Sequence, residues 1–481
     1  MLKSWRADAP DRSRRRLLAS IDRSAAVKQP VDTTVLLTVW AAALVLIPAN
    51  LVVQPLGAAG SPAQLLGLVA GTWWVGAQLN RAYATLTPPK PVRRAAVIFA
   101  GAVLVSYVVA TSRAIQAVEL NAADRGLLLI ASWLGIALMS GDGIPSRERL
   151  DTLLRRIVVM AGWVAVLGAV QFFTGMSFID QLTIPGLSPN ADVASIYNRN
   201  GFARAAGTST HPIEFGVMLT MLLPVALHYA LTDAHRSRLR RWWPVAAIAV
   251  AVPVTMSRST IIGVAAVLLV ILPTWEKTRR RKAYAAVVTL LLAVYLAVPG
   301  LLGTMTGLFT GFSTDNSTQS RIDSYTLAWT FIRRSPVFGR GFSTFLPEYR
   351  ILDNQYLGLL IETGIVGLST FVALVIIGMR IAARLRRAST DPVLRSLLRS
   401  FVACVAAAAC AFATFDAFGF VQVAGLLFLV LGCVSVVWRL ETLPATAVSV
   451  PLADRLTARA LRRRERAQPH DAPAIVSGEP R

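Results

Sequence analysis

Long apolar runs recur along most of this chain, separated only by short polar stretches. A run of about 20 mostly apolar residues can cross a bilayer as a helix. In lipid, only helices and closed barrels satisfy every backbone polar group. The runs fall at 33–54, 62–80, 95–112, 126–141, 157–176, 213–231, 243–256, 260–275, 283–302, 356–380, 400–415 and 417–438. They predict an all-α integral membrane protein of about 12 transmembrane helices. No soluble domain of ordinary size fits between them. The composition agrees: 54% of the 481 residues are hydrophobic, and mean hydropathy is +0.55.

A net charge of +23 would fit nucleic-acid binding if the cations were clustered on one groove. They are instead spread over tails and short connections. Segments 1–32, 81–94, 142–156, 232–242, 276–282, 381–399 with Arg380 at its edge, and 439–481 hold 39 of the 49 lysines and arginines. These are alternate connections, so the positive-inside rule puts them, and both termini, in the cytoplasm. The expected organisation is a basic cytoplasmic tail (1–32), a polytopic membrane domain (33–440) and a cytoplasmic, disordered C-terminal tail (441–481). The N-terminal stretch has basic residues but no apolar core or cleavage site, so the first run reads as a retained span. Cys404, Cys410 and Cys433 lie within predicted spans and read as small core residues, not a disulfide framework or metal signature.

Two external loops are long, about 177–212 and 303–355, and long loops often carry function. The first ends NRNGFARAAGTSTHPIEFG, which gathers Arg199, Arg204, His211 and Glu214 before a span. Gly207 and Pro212 suggest an irregular backbone there. An arginine fork matches a phosphate bidentately and stays charged at any working pH. Glu214 begins an apolar helix, where an unpaired carboxylate is costly, so it should pair with an arginine or cap the helix. The hairpin between 243 and 275 has only Ser257, Arg258 and Ser259 as a polar tip. Its spans are short, which places Arg258 at the floor of an external cavity; the plainer reading is a snorkelling arginine.

In the second loop, residues 320–331 have helical apolar spacing and predict an amphipathic helix along the outer face, with Arg321 and Asp323 at its start. Arg333, Arg334, Arg340 and Arg350 follow, the first two read as headgroup contacts. Asp353 and Asn354 stand at the mouth of the next span, and Glu362 lies inside it. Gly339, Gly341, Gly364 and Gly367 allow tight turns or close helix contact. Arginines with a histidine and a few carboxylates suit a polyanionic lipid-linked substrate: the arginines hold a diphosphate, and a carboxylate or the histidine takes a proton from an attacking hydroxyl.

These stretches resemble the O-antigen ligase and Wzy-type polysaccharide polymerase superfamily. RAAGTSTHPIEFG is similar to its arginine–glycine–histidine–proline segment, and MSRSTIIG to its serine–arginine element. SRIDSYTLAWTFIRRSPVFGRGFSTF with DNQYLGLLIETGIVGL resembles its large external loop and following helix. The resemblance implies a metal-independent, inverting glycosyltransferase without cofactor. Its donor would be a glycan on undecaprenyl diphosphate at the outer leaflet of the cytoplasmic membrane, its second substrate a glycan acceptor. Other polysaccharide assembly proteins would be partners, and nucleic acid none. Arg204, Arg258 and Arg321 would engage the diphosphate or nearby donor groups. The family's ligases place a histidine and an asparagine shortly before a glycine pair; here Asp353 and Asn354 stand there, ahead of Gly364 and Gly367. That departure favours polymerase over ligase. A transporter of lipid-linked sugars would keep charged or broken helices near midplane, whereas the polar residues here crowd the outer ends. A metal-dependent transferase of the dolichol-sugar type would carry acidic residues in the first external loop, which has none.

Overall fold

The computed structural model describes residues 32–79, 90–190, 196–199, 201–310 and 316–442, without the side chains of residues 196, 199, 308–310 and 316–323. The two tails lie outside the described residues, apart from Asp32 and residues 441–442. Each expected run holds a helix, although that of 33–54 is helical only to Leu46 and then passes through the strand Leu51–Val52. In chain order the helices are α1 (Thr33–Leu46), α2 (Pro62–Leu79), α3 (Pro91–Thr111), α4 (Ala117–Gly143), α5 (Arg147–Thr174), α6 (Pro212–Thr232), α7 (Arg238–Val254) and α8 (Arg258–Ile271). Then come α9 (Lys277–Ala297), α10 (Leu301–Thr310), α11 (Asn316–Arg334), α12 (Gln355–Ala388), α13 (Pro392–Ala411) and α14 (Val421–Thr442).

Among the described residues, seven of these are long and apolar enough to cross a membrane: α3, α4, α5, α6, α12, α13 and α14. The pair α9–α10 bends by 112° at its break and makes an eighth if it is one broken span. Helices α1 and α8 are apolar but short. Fourteen helical residues cover about 21 Å, less than the roughly 30 Å hydrocarbon core. The protein is thus a mostly helical, multi-pass membrane protein, and a count of twelve rests on the sequence pattern.

Local chemistry sets the helix ends. Asp32, Ser146, Ser237, Ser257, Asn354 and Asp391 cap helices by accepting backbone N–H groups. Such a cap stabilises by about 1 kcal/mol. Gly175 closes α5 in a left-handed conformation (φ 66°). Helix α14 is the hub: 89% of its apolar window is buried, and it packs on α4, α13, α12 and α3. Between helices in lipid, close van der Waals approach replaces the hydrophobic effect as the main attraction. The α2–α4 contact shows this, since a Cβ on Gly135 would lie 2.4 Å from the Gly67 carbonyl oxygen and 2.8 Å from Gly71 Cα.

Two features bear on the site. The first is a break in α12 at Gly364 (φ 64°, ψ −167°). The break exposes backbone groups that the preceding loop satisfies. Arg340 and Gly341 donate their N–H to the carbonyls of Ile361 and Glu362 (3.1 and 2.8 Å), while Ile365 and Val366 donate to those of Pro336 and Val337 (3.0 and 3.2 Å). A Cβ on Gly364 would sit 2.3 Å from the Val337 oxygen, and one on Gly339 2.3 Å from the Glu362 carbonyl. The second is a β-hairpin, β3 (Ile196–Arg199) with β4 (Phe202–Ala205), turning at Gly201 (φ 81°). The loop expected to be irregular is a short sheet here, and a smaller pair joins Leu51–Val52 to Ser188–Pro189.

Candidate functional site

Arg204 contacts the α7–α8 turn, and Arg258 follows that turn in the chain. Arg204 lies on β4, paired with Tyr197, and is 8% exposed. Its Nε donates to the Thr255 carbonyl (3.1 Å). Arg258 is the first residue of α8, half-buried, in a turn whose neighbours Thr255, Met256, Ser257 and Ser259 are all buried. The polar tip of the hairpin is therefore recessed. The start of α8 also reaches the α13–α14 connection, where the Thr414 hydroxyl donates to Ser259 Oγ (2.8 Å).

That connection carries Asp416. Its carboxylate accepts the backbone N–H of Asp353 (3.3 Å) and Asn354 (3.2 Å), while Asn354 Oδ1 caps α12 through Tyr356 and Leu357. Asp353 is held at φ 51°, a conformation tolerated by aspartate at a modest cost. Burial pushes the Asp416 carboxyl above its usual value, the nearby Asp353 charge pushes the same way, and the backbone donors pull it back only in part.

Beside this acidic group opens a cavity of about 410 Å³ with polar and aromatic residues in its lining. Arg125, Arg350, Glu362, Asp416, Gln355 and Phe418 line it. Glu362, two residues before the α12 break, accepts the Phe345 N–H (3.3 Å). Arg350 Nε donates to Ser324 Oγ (3.0 Å), tying the cavity wall to α11. Phe418 anchors the floor, its ring centroid 5.2–6.5 Å from those of Phe99, Trp133, Phe342, Phe371 and Phe412. Helix α11 is amphipathic: Ser324, Ala328 and Ile332 are buried, while Tyr325 and Trp329 are exposed and Arg333 stacks on Trp329 (5.0 Å).

The expected site residues divide by surroundings. Arg204 bonds the turn that leads into Arg258, and Asp353 with Asn354 adjoins the cavity-lining Leu352 and Gln355. Arg321 lies on α11, one turn before Ser324 in the chain, and Arg199 lies on β3; the side chains of both fall outside the described residues. Glu214 is fully buried at the start of α6 and accepts the Thr210 N–H (3.0 Å) and hydroxyl (2.8 Å) and the Gln422 N–H (2.9 Å). It thus takes the capping option. His211 is the α6 N-cap, its Nδ1 accepting the Ile213 N–H (3.1 Å), with its ring centroid 4.6 Å from that of Tyr197. Arg340 joins Arg113 and Tyr349 on the buried Glu119 carboxylate, pinning the loop before α12 onto α4. That hydrogen bond raises the Tyr349 phenol above its usual value. Asp416 and Arg125 were missed. The signal for Asp416 was a lone carboxylate in FATFDAFGF, between two apolar runs.

These features define a polytopic membrane protein with a recessed polar site at the ends of its helices. Residues 243–372, about a quarter of the chain, match the family model described as O-antigen ligase, so the chain carries a domain of the O-antigen ligase/Wzy superfamily. The match spans α7 through the break in α12 and includes Arg258, Arg321, Arg350, Asp353, Asn354 and Glu362. Arg125, Arg204, His211, Glu214 and Asp416 lie outside it. No curated protein matches the chain. The domain supports a membrane glycan ligase- or polymerase-like function on lipid-linked glycans.

Proposed function

We propose that the protein is a polysaccharide polymerase that joins undecaprenyl-diphosphate-linked repeat units at the outer face of the cytoplasmic membrane, with both termini inside. The transfer is inverting and metal-independent. An acceptor hydroxyl oxygen attacks the donor's anomeric carbon, the bond from that carbon to the diphosphate oxygen breaks, and undecaprenyl diphosphate leaves. The carrying observation is the recessed Thr255–Ser259 turn, which bears Arg258, accepts Arg204 at its Thr255 carbonyl, and is joined to the Asp353–Asp416 connection by the Ser259–Thr414 hydrogen bond.

In this reading Arg204 and Arg258, with Arg321 and Arg199 from the adjoining loops, hold the diphosphate and neutralise charge as it leaves. Preorganised donors of this kind commonly supply a few kcal/mol of transition-state stabilisation each. Asp353 is the base that receives the acceptor's proton. Asp416 stands beside it, its own carboxyl raised by burial first and then by the Asp353 charge. His211, Glu214 and Asn354 cap and clamp the helices that carry these groups and act as positioning residues.

The test is chain extension in cells or with purified protein. Arg258→Ala and Arg321→Ala should each abolish extension while the protein still inserts, and Asp353→Asn should lower turnover at least about a hundredfold. Full-length polymer from both arginine variants would remove the diphosphate role. The family description favours a second reading, transfer of finished glycan to another acceptor. Deleting the gene separates the two: a lost polymerase leaves single lipid-linked units, and a lost ligase leaves long lipid-linked polymer.

A further inference from the structure

The charged groups around the 410 Å³ cavity are arranged by depth. Gln355 is buried (4% exposed), and Glu362 and Asp416 are partly covered, each occupied by backbone N–H groups. Arg125 is exposed on α4 and lines the same cavity. It makes no ion pair among the described residues. Two glycines hold it there. Gly126 lets the 342–343 turn lie against α4, since a Cβ at Gly126 would stand 2.7 Å from Ser343 Cβ and 2.9 Å from a Phe342 ring carbon. Gly57, at φ 54°, carries its loop over the guanidinium, with Arg125 Nη1 3.4 Å from where a Cβ would be. A cation is thus set in the wall of a pocket whose other charged and amide groups are Gln355, Glu362, Asp416 and Arg350, the last donating to Ser324 on α11.

Such a pocket fits a sugar with two unlike parts. Ring hydroxyls donate well to Glu362, Asp416 and the Gln355 oxygen, and Phe418, Phe342 and Phe345 offer apolar faces to the ring. An anion placed against the carboxylates would be repelled, while one placed at Arg125 meets an unneutralised guanidinium. Resting on the transferase reading above, we infer that this cavity is an acceptor-glycan subsite for an acidic sugar, and that Arg125 reads its carboxylate. The volume falls in the range of small-ligand pockets, roughly 300–1,000 Å³, enough for one or two sugar rings.

The test reads binding, not transfer. Detergent-solubilised full-length protein is titrated with a disaccharide ending in glucuronic acid and with the matched disaccharide ending in glucose. Wild type should prefer the acidic probe at least tenfold; Arg125→Gln should bring the two within twofold, and Arg125→Lys should keep most of the preference. Added salt should erode it. Equal binding of the two probes, binding of neither, or a preference untouched in Arg125→Gln would overturn the inference. So would inorganic pyrophosphate displacing the acidic probe from wild type while failing to bind Arg125→Gln, since Arg125 would then serve the donor diphosphate. If transfer survives in Arg258→Ala but the Arg125-dependent preference holds, the diphosphate reading fails and the sugar subsite stands.

Discussion

The two ends of the helical bundle handle buried charge in opposite ways. At the end where α1 and α5 begin and α6 and α14 finish, carboxylates face cations. Asp142 accepts from Lys90 (2.6 Å) and Arg93 (3.1 Å), with Trp74 Nε1 adding a third donor. Asp233 takes Arg155 in a two-pronged pair, 2.7 Å on each prong. At the other end Glu214, Glu362 and Asp416 are held by backbone N–H groups and one hydroxyl, and among the described residues Glu119 is the buried carboxylate there that carries arginines. The first arrangement neutralises charge and fixes helix ends. The second holds Glu214, Glu362 and Asp416 with neutral donors and, among the described residues, no ion pair, surroundings of the kind that perturb ionisable groups.

The sharpest way to break this contrast is at two of the glycines of α12, Gly364 and Gly378. Gly364→Ala forces a Cβ onto the Val337 oxygen at a backbone angle that L residues rarely adopt. Neither backbone partner can retreat without losing the hydrogen bonds between loop and helix break. The expected loss is about 4 kcal/mol or more, seen as collapse of the monodisperse peak and thermal transition in detergent. Gly378→Ala, in the other half of the helix, meets only the Leu431 side-chain tip at 2.4 Å. A flexible side chain can move, so the cost should stay near 1 kcal/mol. Equal damage from both would mean that the break is no more constrained than an ordinary helix contact.

Much of the architecture was readable because lipid imposes a strict rule: apolar length marks a span, and each expected run holds a helix. The glycines at 339, 341, 364 and 367 were visible as points of close approach, but not the loop-to-break pairing they permit, because that pairing joins backbone groups distant in sequence. Glu214 was open between ion pair and cap, and its cap partner Gln422 lies on α14, beyond reach of local pattern. The β3–β4 hairpin went unread since its strands are only four residues long. Of the site, Arg204 and Arg258 were both singled out in the sequence, and Arg204 hydrogen-bonds the turn that precedes Arg258. Arg125 sat one residue before a predicted span and looked like an ordinary flank.

Next in size is Asp142→Asn. It strips the charge from a carboxylate that is 7% exposed and holds both Lys90 and Arg93. Removing one partner of a largely buried ion pair costs about 3 kcal/mol, measurable as a lower melting temperature. Asp416→Asn should behave differently. The Asp416 carboxyl is raised in the folded protein, so folding favours its protonated form. Its stabilising contribution is complete below the ordinary carboxylate range and declines as pH rises through the raised value. The wild type should therefore lose stability over that rise, and the Asn variant should show a flatter profile. Matching profiles would place Asp416 with the neutralised carboxylates of the opposite end.

The smallest effect belongs to Arg236→Ala. Arg236 stands 3.8 Å from Asp233 and is 52% exposed, so solvent screens the pair. Asp233 already has its two-pronged partner in Arg155. Removing Arg236 should change stability by no more than about 0.5 kcal/mol, after discounting for exposure, with a melting temperature indistinguishable from wild type. The value lies in the pairing with Arg155→Ala, which strips the same carboxylate of its principal partner and should destabilise clearly. A large loss from Arg236→Ala would mean that Asp233 is not satisfied by Arg155. Neutralisation at that end would then depend on exposed cations, and the contrast with the cavity end would be one of degree, set by salt, not one of design.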